Sequence, residues 1–217
     1  MIYIFVCIND TYQSVTIVSV SISEIGVGPD EALQQYHFLP VNAEWQRRVA
    51  GLLGTVMPTR CCYAETEMAS QLHHQYPTSV KDVRGNGACL PRVLSMAIYG
   101  NENQHHRLRQ AVVDFMLKGP LPEESSQRNA AFYKRMTAMR LRKTWMTTEE
   151  VRGFAYLLDT PIFTLVHNKN TNGRDCYYWQ RIPHHLTKEN VNNVRGIFIL
   201  NAHNHFQLIM PHEPMNP

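Results

Sequence analysis

The stretch from Val83 to Gly100 constrains this chain more than any other. Val83-Arg84-Gly85-Asn86-Gly87-Ala88 is a loop whose two glycines let the backbone turn sharply. It leads directly into Cys89, Leu90, Val93, Leu94, Ala97 and Ile98, apolar positions that share one helical face and stop at Gly100. Pro91 is tolerated only in the first turn of a helix, which puts Cys89 at or beside the helix N-terminus. A fold built on this stretch presents a thiol at the start of an apolar helix, behind a tight loop.

The flanking segments predict what that helix packs against. Leu108, Val112, Val113 and Met116 form a second helical stripe closed by Gly119-Pro120, and Glu123 to Lys143 reads as a third, more polar helix. Thr147-x-x-Glu150 is a capping box for a helix over Glu149–Leu158. The period then changes to short apolar strands at Ile162–Val166, Cys176–Gln180, Gly196–Leu200 and His205–Met210. Upstream, Ile2–Ile8 and Val15–Ile22 read as a hairpin, Pro29 to about Phe38 as a short helix, and Ala43–Leu53 as a helix capped by Asn42. Residues 54–80 are irregular and carry a soft boundary. The expected division is an N-terminal extension, 1–78, and a main domain, 79–217. The order of elements predicts an α+β fold, a mixed α/β sandwich with a small central sheet flanked by helices.

Composition narrows the function classes. A chain of 217 residues with 44% hydrophobic and 18% charged residues can bury a core without metal or disulfide staples. Its net charge of +3 is too small for a whole-protein nucleic-acid footprint. No run reaches the ~18 apolar residues of a membrane span, and Met1–Ile8 lacks the basic lead of a signal peptide. The five cysteines are odd in number and show no Cys-x-x-Cys spacing. Free thiols in a reducing, intracellular and cytoplasmic setting are expected.

A cysteine attacks as its thiolate, and a helix N-terminus or a neighbouring imidazole favours that form. Cys89 has the first by position. Gly85 and Gly87 allow successive N–H groups to converge on an oxyanion. The partner base is sought on a rigid element far along the chain, and His205 opens the apolar strand His205-Phe206-Gln207-Leu208-Ile209. His203 would share its face, and the strand that follows favours His205. The pairs His73-His74, His105-His106 and His184-His185 lack metal-ligand spacing and read as surface or helix-end residues.

Val83 to Ser95 resembles the nucleophile segment of the ovarian-tumour (OTU) family of cysteine proteases, whose usual run is Gly-Asp-Gly-Asn-Cys-Leu-Phe-Arg. The Arg107–Leu117 helix, Trp145 with the helix and strand after it, and Asn204-His205-Phe206 resemble that family's later segments in order. The resemblance spans roughly residues 79–212. It implies a papain-type cysteine protease fold and thiol-dependent cleavage of isopeptide bonds in ubiquitin or ubiquitin-like conjugates, without metal or cofactor. Cys89 would be the nucleophile, His205 the general base, and Asn86, Gly87 and Ala88 the oxyanion loop, with Asn86 counted among the catalytic residues.

Three departures stand out. Asn86 replaces the family's Asp and Ala88 its Asn. Gln207 stands where many members place the Asp or Asn that orients the histidine, so Gln207 is the expected orienter, with Asn201 and Asn204 as substitutes. A neutral amide stabilises imidazolium less than a carboxylate, and a weakened triad is expected. The alternatives are a ubiquitin-binding module with little turnover, and a nucleic-acid adaptor acting through the basic segment 128–143. No membrane partner is expected, and nucleic acid ranks last.

Overall fold

The computed structural model describes residues 37–55, 70–71, 77, 79–118, 128–141, 144–170, 172–182 and 195–211. The fold is α+β. The described residues form five helices, a five-stranded mixed sheet and a separate two-stranded ribbon. The expected hairpin over 2–22 lies outside the described residues.

The helix starts follow their capping chemistry. In α1 (Ala43–Leu52) the Asn42 side chain accepts from the Trp45 N–H, and in α4 (Ala130–Met139) Asn129 does the same for Phe132. In α5 (Thr148–Leu157) the Glu150 carboxylate reaches back to the Thr147 N–H at 2.7 Å, the expected capping box. The central helix α2 (Cys89–Tyr99) differs: its N-cap is Ala88, with no side-chain cap. All 11 of its residues are buried, and it stops at Gly100, whose φ of 69° suits glycine. The apolar stripe of α3 (His105–Lys118) buries Leu108, Val112, Val113 and Met116, together with Arg109.

The sheet runs β3 (Val80–Lys81), β7 (His205–Ile209), β6 (Ile197–Ala202), β4 (Ile162–Lys169), β5 (Asp175–Ile182) in spatial order. Only β4 and β6 pair in parallel. Alternation divides β6 cleanly. Ile197 and Ile199 join the core under the helices, while Phe198 and Leu200 face the opposite side. There Phe198 stacks on Phe163, with ring centroids 4.7 Å apart, and meets Phe38 of β1 (His37–Phe38). β1 pairs with β2 (Ser70–Gln71).

The structure changes two expected elements. Phe38, expected at the end of a helix, lies in β1, where its ring is drawn into the aromatic cluster and Pro40 bridges to Gly196. The polar helix expected to reach Lys143 ends at Met139, because Arg109 draws in the carbonyls of Met139, Leu141 and Thr144. Residues 37–55 share the main core: Val41, Trp45, Val49 and Ala50 pack with α2, and Gln46 donates to the Ala97 carbonyl at 2.8 Å. No described helix is long and apolar enough to cross a membrane.

Two features position the site. Helix α2 packs directly on β7, and β3 pairs antiparallel with β7 through Val80↔Ile209 and Lys81↔Leu208. One further step along that register sets Asp82 beside Gln207, just before the chain leaves the sheet for the loop into Cys89.

Candidate active site

Cys89 occupies the first turn of α2 and is 4% exposed. It is approached through a loop of defined shape. The Asn86 N–H closes on the Arg84 carbonyl at 3.2 Å, and Gly87 takes φ 79°, in the left-handed region where a Cβ is strained. The Asn86 side-chain oxygen accepts from Arg92 Nε at 3.3 Å, while Arg92 Nη1 pairs with Glu102 at 2.7 Å. Asn86 thereby braces the loop on α2. Ala88 is buried, and its carbonyl accepts from the Arg92 N–H. With no capping side chain at Ala88, the first N–H groups of α2 remain available to an anionic oxygen.

His205 starts β7, after a two-residue turn in which His203 and Asn204 have φ of 52° and 61°. Positive φ at both positions is the geometry that matches the twist of a tight hairpin. His203 lies against His167, with ring centroids 4.7 Å apart and planes tilted by 50°. His205 instead places Nε2 against Asp82 Oδ1 at 2.8 Å. That contact assigns the proton of the neutral ring to Nε2 and leaves Nδ1 as the basic nitrogen. The Nδ1 edge turns toward the loop: a methyl built on Gly85 would lie 3.5 Å from Cε1 and 3.6 Å from Nδ1. Among the described residues no hydrogen bond joins Cys89 Sγ to this ring, and such contacts often tighten only with substrate bound.

Gln207 does not take the place expected of it. Its Nε2 donates to Asp82 Oδ1 at 3.0 Å, so it steadies the carboxylate that holds the ring. Two donors on one oxygen favour the ionised form. The His205 bond first, and the Gln207 bond second, hold the Asp82 carboxyl below the usual aspartate range.

Asp82 is the residue that the sequence reading missed. It lies seven positions before Cys89 and 123 before His205. A two-residue strand announces little, and only the β3–β7 pairing brings Asp82 to the ring. Its position just ahead of the glycine loop was the available signal.

A thiol at a helix start with no side-chain cap, a glycine loop ahead of it and a carboxylate-held imidazole are groups that cysteine-type acyl transfer can use. No family model matches the sequence, and a search of curated proteins finds no match. Among solved structures, the chain is similar to the OTU domain of OTUD1, with 18% identity over 59% of this chain and 83% of that one and a TM-score of 0.47. It is also similar to the viral OTU domain protease from Taggert virus, with 16% identity, 64% and 82% coverage and a TM-score of 0.47. A third is an OTU deubiquitinase from Wolbachia pipientis wMel bound to ubiquitin, with 16% identity, 60% and 94% coverage and a TM-score of 0.46.

Proposed function

We propose that this chain is a cysteine-type isopeptidase of OTU-like design, acting on ubiquitin or ubiquitin-like conjugates. The observation that carries the reading is the Asp82–His205 pair held beside the loop that ends in Cys89. The motif resemblance of residues 79–212 supports the choice of substrate class.

In this reading His205 Nδ1 takes the thiol proton as Cys89 Sγ attacks the isopeptide carbonyl carbon. The carbonyl oxygen becomes an oxyanion held by N–H groups of the Asn86–Cys89 loop. Collapse breaks the C–N bond, and His205 returns the proton to the leaving lysine amine. Water, deprotonated by His205, then hydrolyses the thioester and restores the thiol. Asp82 keeps the ring in the tautomer with Nδ1 free and stabilises the imidazolium formed in each step.

The Asp82 carboxylate favours turnover over the binding-only alternative, because the ring is not left to a neutral amide. Hydrolysis of ubiquitin bearing a C-terminal fluorogenic amide tests the reading. Turnover lost in Cys89→Ala and in His205→Ala is expected. Turnover that survives Cys89→Ala excludes it.

A further inference from the structure

Arg109 is a buried cation that the mechanism above does not use. It lies on the apolar stripe of α3 and is 1% exposed. Its Nη1 donates to the carbonyls of Met139, Leu141 and Thr144 at 3.0, 3.2 and 2.9 Å. Its Nη2 donates to the Gly87 carbonyl at 2.6 Å. Among the described residues no carboxylate forms an ion pair with it, and its buried Nε has no partner. Burial pushes its pKa below the ordinary value, while the charges of Glu150 and Cys89 act the other way. A methionine would fill this position without the cost of desolvating a charge.

The contact with Gly87 gives the charge a purpose. A trans peptide directs its C=O and N–H to opposite sides. Pulling the Gly87 carbonyl into the core turns the Ala88 N–H outward. Gly87 sits at φ 79°, so this peptide plane has a specific setting, and Ala88 provides no side chain to fix it from the helix side. Asn42 and Asn129 do that work for α1 and α4.

We propose that Arg109 is a positioning residue for the oxyanion loop: its guanidinium fork ties the Gly87 carbonyl to the carbonyls of Met139, Leu141 and Thr144 and so aims the Ala88 N–H at the anionic oxygen of the transition state. This rests on the isopeptidase reading above. A lysine supplies the charge but not the planar fork that joins two segments.

The test compares the full-length wild type with Arg109→Met and Arg109→Lys. Three quantities are read: kcat and KM on ubiquitin C-terminal fluorogenic amide, the alkylation rate of Cys89 by iodoacetamide, and thermal stability. Alkylation needs the thiolate but no oxyanion donors. The expected result in folded Arg109→Met is kcat lower by about 100-fold, the effect of one oxyanion donor, with KM and the alkylation rate within about twofold of wild type. Arg109→Lys falls between. A kcat within threefold of wild type in folded Arg109→Met overturns the proposal, as does an alkylation rate that falls in step with kcat. If neither variant folds, the wild type decides by NMR. The Ala88 amide proton should move downfield when ubiquitin aldehyde forms its hemithioacetal, and an unmoved resonance overturns the assignment. A wild type that turns over no ubiquitin substrate and forms no such adduct refutes the isopeptidase reading instead.

Discussion

Asp82→Asn removes one charge and keeps the shape of the site. The asparagine oxygen can still accept from His205 Nε2 and Gln207 Nε2, which now share Asp82 Oδ1 at 2.8 and 3.0 Å. The substitution isolates what the negative charge contributes to imidazolium. A hydrogen bond to a charged group contributes about 1.5–3 kcal/mol. The Asp82 side chain is 70% exposed and that of His205 26%, and water screens the pair. Screening brings the contribution to or below the lower end of that range, about 1–1.5 kcal/mol, or a fall of about 5- to 12-fold in kcat/KM at neutral pH. Gln207→Ala removes only a support of Asp82 and should cost about twofold. His205→Ala removes the proposed base and should cost at least about 100-fold. The assay is hydrolysis of the fluorogenic ubiquitin amide by the full chain. An Asp82→Asn variant within twofold of wild type, or a Gln207→Ala variant at least as impaired as Asp82→Asn, refutes the division of roles. The pair also has a pH signature. The folded carboxyl titrates below its unfolded value. Its contribution to stability is therefore complete above the unfolded pKa and lost as pH falls through the folded one. The stability gap between wild type and Asp82→Asn should close as pH falls below about pH 4. A gap that persists through that range contradicts the assigned direction.

Other substitutions test the scaffold. Gly87→Ala places a Cβ at φ 79° and should cost about 1–2 kcal/mol of stability. Its kcat should fall more than tenfold at a temperature where the variant is folded, and an unchanged kcat would show that the loop's peptide setting is irrelevant. Glu150 has no exposed side-chain surface and holds Arg135 at 2.7 Å as well as the Thr147 N–H. Glu150→Ala should therefore lower urea-unfolding stability by about 2–3 kcal/mol, less than for a fully buried pair because Arg135 can reach water. A loss under about 0.5 kcal/mol would contradict the structural role.

The local features were the legible ones. Pro91 and the glycine loop set the start of α2, Thr147 and Glu150 marked the entry to α5, and short apolar runs marked β4 to β7. Each depends on residues a few positions apart. The β3–β7 pairing joins two short segments from distant parts of the chain, and Asp82 depends on it entirely. Gln207 was placed on the right face, but its partner there is the carboxylate. Arg109 was passed over as one polar residue in an apolar stripe. Its spacing from Val112, Val113 and Met116 put it on the buried side, and an arginine there already implied a set of acceptors. Phe38 was misread because its destination, the face of Phe198, is a tertiary contact that overrides local helix signals.

The central claim is that Cys89 is the nucleophile activated by a histidine that Asp82 holds. The most direct measurement is the mass and site of the adduct formed with ubiquitin carrying a C-terminal electrophile. The account predicts one ubiquitin per chain, attached at Cys89, absent in Cys89→Ala and formed much more slowly in His205→Ala. No adduct on the folded wild type, or an adduct carried by Cys61, Cys62 or Cys176, contradicts it.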